Sequence, residues 1–468
     1  MSSPWLASFL QKLVIQSLSP ITFTTMKIHI SGAVELQRSA KLTPQKRDII
    51  LTPTLVLLVL ISLYLFMDSS IRLLRQPAPT LYPHGRLRSQ FFGSREEPKK
   101  CDVFQGQWVP YPNATYYTNE TCPMISDQQN CLKFGRPDIE FLQWRWRPDG
   151  CELPPFDALE FLDIVKGKSV GFVGDSVGRN QMQSLLCLLS GVSKPEDITL
   201  RYTTDAINFK RWFFTDYNFT LAAFWAPFLV RAKDWTEDGG GGHARSILMS
   251  LHLDEPEPSW ATEIEGFDYV IISAGQWFYR PMVFYENGQL IGCSSCGLDN
   301  VTEISRFYGY RMAFRTTFQT LMGIKGYEGV TFLRTFSADH FENGPWNDGG
   351  NCIRTRPFGK GEVKLKMYDY EFYKTQVEEF RAIERESYML GRRKIKGHKL
   401  RLLDTTEASL MRPDGHPNAL GHSPHKNASF NDCVHWCMPG PIDTWNEFLL
   451  ESMRPQESAA MMESSRID

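Results

Sequence analysis

Two short motifs, far apart in the chain, carry the residue types of a serine acyl-transfer site. The first is Gly174-Asp175-Ser176 and the second is Asp432-x-x-His435. A serine hydroxyl attacks an ester when an imidazole takes its proton, and that imidazole needs a carboxylate to orient it. The spacing of three between Asp432 and His435 lets one helical turn or a tight loop bring both side chains to the same side. The motifs therefore predict a triad of Ser176, His435 and Asp432.

A second histidine loop competes for the role of base. In Arg412-Pro-Asp414-Gly-His416-Pro the same two residue types lie two positions apart, with glycine between them and prolines nearby. Glycine and proline at these positions favour a turn whose side chains diverge. We expect Asp414 and His416 to form a turn near the site.

The elements around Ser176 must position the nucleophile. Ser169 to Val173 is a β-branched and aromatic run that predicts a buried strand, and apolar residues recur at helical spacing from Met182 to Leu189. Ser176 would lie at the helix N-terminus, where free N–H groups and the helix dipole stabilise an oxyanion. The tripeptide alone fits equally well a serine that only caps the helix.

The residues Gly174 to Gly178 also match G-x-S-x-G, the nucleophile elbow of α/β-hydrolases. In that fold the elbow follows several strands, whereas Ser176 follows the first convincing strand of the body. The elbow also leaves unexplained an acid and a base three residues apart at the far end of the chain. We therefore favour a different serine-esterase fold.

The chain after Gly167 has the pattern of an α/β domain. Strands separated by helical stretches predict a mainly parallel sheet covered on both faces. The strand candidates are Ser169–Val173, Leu221–Trp225, Ser246–Leu253, Tyr269–Ser273 and Val330–Phe336, and the helix candidates are Val177–Leu189, Arg311–Met322 and Tyr370–Glu386.

The N-terminal segment predicts a membrane anchor. Residues 49–67 carry no charge, and a helix of about 20 apolar residues crosses a bilayer. Basic residues precede this run, which favours a cytosolic tail at 1–48 and a signal anchor at 49–67. Residues 68–100, rich in Arg, Ser and Pro, are typical of a stem, and 454–468 of a flexible tail.

The cysteines and glycosylation sequons place the rest of the chain in the secretory pathway. All 10 cysteines lie at or after Cys101, and an even number beyond an anchor indicates disulfides. Cys293-x-x-Cys296 has no second pair beside it, so we expect no metal. The sequons are Asn113, Asn119, Asn218, Asn300 and Asn427.

Composition separates a small lobe from the main body and argues against one class of partner. Residues 101–165 hold four cysteines and too few residues for a large core, so they should dock on the catalytic domain at 166–453 through disulfides. The net charge of −2 argues against a nucleic-acid partner.

Longer stretches around these motifs resemble the plant trichome birefringence-like proteins, within the SGNH or GDSL-type esterase superfamily. The resemblance runs from about Cys101 to Met453. It implies an SGNH-hydrolase-like three-layer sandwich with a small disulfide-rich lobe, behind a single transmembrane helix, as in type II Golgi polysaccharide O-acetyltransferases. The matching stretches are Val173–Asn180, Arg334–Ser337, His340–Asn347, Arg412–Pro417, Asp432–Cys437 and Pro439–Asn446.

The resemblance also implies roles for individual residues. Ser176 becomes the nucleophile, His435 its base and Asp432 the orienting acid. Where many members have Asn-Thr-Gly-His-Trp, this chain reads Ser273-Ala-Gly275-Gln-Trp277, so Ser273 or the Gly275 backbone would replace an asparagine as oxyanion donor. Further candidates for oxyanion or substrate contacts are Asp175, Arg179, Asn180, Trp277, His340, Trp346, Asp414 and His416. For Trp277 and Trp346, core packing and sugar stacking are equally open.

The layout and the resemblance together suggest four disulfides, two of which would bracket His435. The expected pairs are Cys101 with Cys151, Cys122 with Cys187, Cys131 with Cys437, and Cys352 with Cys433.

The sequence as a whole is similar to those of the branch of the family that acetylates xyloglucan and mannan. We expect transfer of an acetyl group through an acetyl-serine to a hemicellulose, xyloglucan first and mannan second, at the Golgi membrane with the catalytic domain in the lumen. The donor would be a co-substrate, acetyl-CoA or an acetyl group relayed by a membrane protein, with no bound cofactor. The alternatives are an acetyl esterase and a wall-polysaccharide-binding protein with an idle triad.

Overall fold

The computed structural model describes residues 101–235, 248–392, 399–420 and 431–454. The expected tails, anchor and stem, and the sequon at Asn427, lie outside these ranges. Within the described ranges, no helix combines the length and apolar character needed to cross a membrane.

The described chain forms thirteen strands, named in chain order. They are β1 Gly106–Pro110, β2 Trp144–Pro148, β3 Ser169–Gly174, β4 Glu196–Asp197, β5 Phe209–Phe214, β6 Phe219–Trp225, β7 Val230–Asp234, β8 Met249–Pro256, β9 Tyr269–Ser273, β10 Met282–Glu286, β11 Gln289–Ser294, β12 Val330–Arg334 and β13 Lys399–Leu403.

The α-helices of the described ranges fall between and after these strands. They are α1 Ala158–Ile164, α2 Ser176–Ser190, α3 Pro258–Ala261, α4 Arg306–Gly323, α5 Met367–Arg392, α6 Thr406–Leu410 and α7 Asp443–Met453.

The main sheet has seven strands in the order β13-β12-β9-β3-β6-β5-β4. The first five are parallel, and β5 and β4 extend the sheet antiparallel at one edge. This confirms the expected α/β fold with a mainly parallel sheet. The strand β3 lies at its centre, so the nucleophile follows a strand that is paired on both sides.

Each face of the main sheet buries its own core, because successive side chains of a strand point to opposite faces. Phe172 and Leu221 pack with α1, α2 and α7 on one face. Val173 and Phe224 pack with α4 and α5 on the other. The layers are therefore helices, sheet and helices, as in a three-layer sandwich.

One predicted strand belongs to a different sheet. The segment predicted at Ser246–Leu253 is the strand Met249–Pro256, and it joins a four-stranded sheet in the order β11-β10-β8-β7. The apolar alternation at Met249, Leu251 and Leu253, all buried, identifies a strand but not its partners, since pairing depends on contacts distant in sequence.

The cysteine-rich segment packs closely on the body. Its two strands, β1 and β2, pair antiparallel, and the Trp146 ring meets Phe448 of α7 edge-on with centroids 6.2 Å apart. Trp108 donates its indole N–H to the carbonyl of Ala408 at 2.9 Å. The four expected disulfides all form, and two of them, Cys122–Cys187 and Cys131–Cys437, connect this segment to the body.

Candidate active site

The three triad residues meet at the carboxyl edge of the main sheet. Ser176 is the first residue of α2, directly after β3. Its Oγ lies 2.7 Å from Nε2 of His435, and Nδ1 of His435 lies 2.8 Å from Oδ2 of Asp432. Both separations are hydrogen-bond lengths. A nucleophile, a base and an orienting acid are therefore in contact in the order that acyl transfer requires.

A tight loop, not a helical turn, supplies the acid and the base. Oδ1 of Asp432 accepts hydrogen bonds from the backbone N–H groups of Val434 and His435, at 3.1 and 2.9 Å. The Cys352–Cys433 and Cys131–Cys437 disulfides hold the loop on either side of His435. The backbone and side chain of His435 are thus fixed separately.

Asp432 and His435 each stabilise the charged form of the other. Burial by itself would lower the pKa of His435, but the negative charge of Asp432 and its hydrogen bond outweigh burial and raise that pKa. Burial would likewise raise the pKa of Asp432, but the His435 charge and the N–H donors lower it strongly. Asp432 therefore stays ionised and stabilises the imidazolium that forms when Ser176 loses its proton.

Asp175 organises the turn that carries Ser176. Its side chain is 2% exposed, and Oδ1 accepts from the N–H groups of Val177 and Gly178 at 3.0 and 3.3 Å. Oδ2 accepts from the N–H of Gly275 at 2.9 Å. Both oxygens of Asp175 therefore fix the helix N-terminus and the loop after β9, which argues against a contact of this side chain with substrate.

Both candidate oxyanion donors after β9 have partners within the protein. The Gly275 N–H is taken by Asp175. Ser273 is fully buried, and its Oγ accepts from Arg334 Nε at 2.9 Å. Among the described residues, the backbone N–H of Ser176 meets no acceptor, which leaves it as a donor at the reacting centre.

His416 and His340 support the loop that carries His435. Nδ1 of His416 lies 2.7 Å from the carbonyl O of His435, and a carbonyl only accepts, so Nδ1 carries the proton. Nε2 of His416 contacts Nδ1 of His340 at 2.7 Å. Burial lowers the pKa of both rings. Both are buried, and their ring nitrogens contact protein groups, which argues against a contact with substrate.

Two further candidates are also supports. Asn180 is 1% exposed, and its amide brackets the backbone of Trp436, with Oδ1 2.8 Å from the Trp436 N–H. Asp414 is buried and paired with Arg412, 2.8 Å from Oδ1 to Nε. Neither side chain is open to substrate, but each holds the segment next to His435.

Three candidates remain at accessible positions. The Arg179 guanidinium lies 4.5 Å from the Trp225 ring centroid, and Trp277 meets Trp225 edge-on at 5.3 Å. Both follow the carboxyl ends of parallel strands, β3 and β9, and so lie at the same edge of the sheet as the triad. Trp346 is 60% exposed and lies on the loop after β12.

Cys293 and Cys296 form a fifth disulfide. Together with Glu303 they also form a cluster of potential metal ligands, but a disulfide has no thiolate, which is the form of cysteine that binds zinc. The pair therefore closes a local loop.

Sequence reasoning overlooked two arginines that neutralise and fix the site. Arg334, fully buried, lies 4.0 Å from Asp175 and balances its charge. Arg136 of the cysteine-rich segment donates to the carbonyl of His416 at 3.0 Å and to the carbonyl of Asp414. Both belong to stretches that stand out in the sequence, but their partners are distant along the chain.

The layered sheet and this triad define an SGNH-like protein equipped for acyl-ester chemistry. Residues 153–452 match the GDSL/SGNH-like acyl-esterase family found in Pmr5 and Cas1p, and residues 99–152 match the PMR5 N-terminal domain. The chain belongs to this PC-esterase family, and its expected relation to trichome birefringence-like proteins is confirmed.

Named relatives cover most of the chain. Trichome birefringence-like 19 of Arabidopsis thaliana is 44% identical over 92% of this chain and 99% of its own length. Trichome birefringence-like 20 of the same plant is 48% identical over 77% and 73%. Xyloglucan O-acetyltransferase 4 of Populus trichocarpa is 42% identical over 77% and 82%.

Proposed function

We propose that this protein is a polysaccharide O-acetyltransferase that acetylates a hemicellulose, with xyloglucan as the first candidate acceptor. The observation that carries the proposal is the contact of Ser176 Oγ with His435 Nε2 and of His435 Nδ1 with Asp432. Relatives named xyloglucan O-acetyltransferases, 40 to 42% identical, support the acceptor class.

The first half-reaction forms an acetyl-serine. Oγ of Ser176 attacks the carbonyl carbon of the acetyl donor while Nε2 of His435 takes the hydroxyl proton. The Ser176 backbone N–H, at the positive end of α2, stabilises the oxyanion. The tetrahedral intermediate collapses, and the donor's leaving group departs with the proton from His435.

The second half-reaction moves the acetyl group to sugar. His435 removes the proton of an acceptor hydroxyl, whose oxygen attacks the acetyl carbon. When the intermediate collapses, Ser176 leaves and recovers the proton from His435. The products are an acetylated sugar and the free enzyme.

Transfer and hydrolysis differ only in the attacking oxygen. A bound sugar hydroxyl competes with water through its high effective concentration at the acetyl-serine. The protein is a transferase if the acceptor occupies that position before water does.

The test is to incubate the purified lumenal portion, produced as a secreted glycoprotein, with an acetyl donor and oligosaccharides of xyloglucan and mannan in parallel. We expect mass gains of one acetyl group on xyloglucan, and none with Ser176→Ala. Acetylation of mannan alone would change the assigned acceptor. Free acetate without acetylated sugar would indicate an esterase, and sugar binding with no acetyl turnover from any donor would indicate a binding protein.

A further inference from the structure

A groove with both aromatic and polar walls lies at the carboxyl edge of the main sheet, where Trp225 ends β6 and Trp277 follows β9. It consists of two adjoining hollows of about 230 and 260 Å³. The residues common to both are Asp205, Asn208, Trp225 and Ser259. None of these residues belongs to the triad or supports it.

The main sheet brings this groove to the reacting serine. Trp225 ends β6 and is paired in register with Gly174 of β3, two residues before Ser176. The N–H of Ala226 donates to the Gly174 carbonyl at 2.9 Å. Because parallel strands end at the same edge, the Trp225 ring and the Ser176 hydroxyl lie on the same edge of the sheet.

The groove has the chemistry that recognises a sugar ring. Trp225, Trp277 and Phe209 supply aromatic surface, which packs on the apolar C–H face of a pyranose. Asp205 and Asn208 are exposed on the rim, where they can hydrogen-bond to ring hydroxyls. An aromatic wall with a few polar groups is typical of a small-ligand site.

The charges of the groove favour a neutral sugar. Asp205, Glu257 and Glu263 are all lining residues. Glu263 is paired with Arg211 at 3.4 Å, and Arg179 lies close enough to Asp205 to lower the carboxyl's pKa, after the larger effect of its hydrogen bonds with Asn208. Arg280 also lies over the Trp277 ring, 3.8 Å from its centroid, so cations as well as carboxylates surround the groove. The carboxylates accept from neutral hydroxyls, and with its charges offset the groove does not attract the carboxylate of a uronic acid.

We propose that this groove holds a neutral pyranose unit of the acceptor, adjacent to the unit whose hydroxyl is acetylated. The inference rests on the proposed transferase function for the meaning of "acceptor". It commits the site to neutral polysaccharides and disfavours acidic pectic chains.

The experiment measures binding without turnover, in a Ser176→Ala background. Ser259 is exposed and lines both hollows, so Ser259→Trp fills the groove without touching the triad. The matched control is Ala382→Trp, on an exposed position of α5 that lines neither hollow. Calorimetry with neutral xyloglucan and mannan oligosaccharides and with oligogalacturonate gives the affinities.

We expect Ser259→Trp to weaken binding of a neutral oligosaccharide about tenfold and Ala382→Trp to leave it unchanged. Oligogalacturonate should bind more weakly than the neutral chains. Asp205→Asn should make the difference between these two affinities smaller. Equal affinity of both tryptophan variants for the neutral oligosaccharide, or a higher affinity for oligogalacturonate, would overturn the proposal that this groove binds a neutral sugar.

The failure of the proposed function has a different signature. If Ser259→Trp weakens neutral-sugar binding but the enzyme with intact Ser176 transfers no acetyl group, the transferase assignment fails and the groove stands as a sugar site. If acetyl transfer occurs but Ser259→Trp leaves sugar binding unchanged, the proposed sugar site in the groove is wrong and the transferase assignment stands.

Discussion

At the level of single residues, the contacts separate a base from its support. The ring nitrogens of His435 contact Ser176 and Asp432. Those of His416 contact the backbone carbonyl of His435 and the His340 ring. A buried imidazole whose two nitrogens both contact protein groups has no nitrogen free to exchange protons with a substrate. The two histidine loops therefore perform different tasks, although they contain the same residue types.

This difference gives a prediction for three variants. His435→Ala should lower kcat by roughly four orders of magnitude, and Asp432→Asn should also be severe, because triad members act as a unit. His416→Ala should be milder, since it removes only a donor to the His435 carbonyl. Turnover of a small aryl acetate, with circular dichroism as the check on folding, measures all three.

The matched variant is His416→Asn, whose amide N–H can replace the Nδ1–H donor. It should restore part of the activity that His416→Ala loses. A folded but inactive His416→Ala protein beside an active His435→Ala protein would reverse the assignment of base and support.

At the level of elements, disulfides fix the catalytic loop to distant parts of the chain. Cys131–Cys437 joins residues 306 apart in sequence, and Cys352–Cys433 joins residues 81 apart. Cys293–Cys296 closes a separation of only 3. A cross-link over a long loop restricts the unfolded chain more than one over a short loop.

We predict that the pairs differ sharply in importance. Replacing Cys352 and Cys433 by serine should lower both activity and the thermal midpoint, because the loop that carries His435 loses a fixed end. Replacing Cys293 and Cys296 should change activity less than twofold, since that pair lies away from the triad. Equal losses in the two double variants would show that the long-range bond does not position the base.

The contact of α7 with the cysteine-rich segment contains two buried acids. Asp443 accepts from Tyr117 at 2.7 Å and from Ser184 at 2.5 Å, and Glu447 accepts from Tyr116. Burial, the largest cause, raises the pKa of Asp443 to about 6 and that of Glu447 to about 7. Both acids are therefore protonated more readily in the folded than in the unfolded protein.

The sign of the pH dependence follows from this difference. A carboxyl whose folded pKa is raised costs no stability below its unfolded pKa, and stability is lost as pH rises through the folded value. We predict a lower free energy of unfolding at pH 8 than at pH 5, by roughly 3 kcal/mol for Glu447 alone. Glu447→Gln should flatten the dependence. Thermal unfolding at a series of pH values measures this dependence. If the free energy of unfolding falls equally with pH in the Glu447→Gln variant, Glu447 does not have this role.

Sequence motifs and the family resemblance predicted the triad and four disulfides, but not the contacts that fix the triad in place. Ser176 at a strand-to-helix junction and Asp432 three residues before His435 are local patterns, and their elements form as expected. The burial of Ser273 against Arg334, and of Asp175 against the Gly275 N–H, joins positions about 60 and 100 residues apart. Pairing at such separations depends on tertiary packing, which local propensity does not encode.

The second sheet illustrates the same limit. The strands β7, β10 and β11 are short and partly exposed, so their alternation is too weak to predict a sheet apart from the main one. Trp225 was predicted only as the end of a strand, and its place beside Trp277 depends on the order of strands in the main sheet. The groove was therefore not visible from the sequence.

At the level of the whole molecule, the modifications expected in the secretory pathway occupy compatible positions. Asn113, Asn218 and Asn300 are exposed and Asn119 is partly exposed, so each can accept a glycan without unfolding the domain. The cysteines are all paired, as an oxidising compartment allows. The anchor expected at residues 49–67 would place all these sites on one side of a membrane.

We predict a type II arrangement, with the body in the Golgi lumen and residues 1–48 in the cytosol. Glycosidase treatment of protein from plant cells should increase its mobility on a gel, because sequons that enter the lumen are glycosylated. In sealed vesicles, protease should remove the N-terminal tail and leave the body intact, since only the tail faces the outside. An N-terminal epitope tag reports the first event, and an antibody against the body reports the second. Protection of the tag, or no mobility shift after glycosidase, would contradict this orientation. The decisive control is detergent, which should expose the body to protease while its disulfides remain closed.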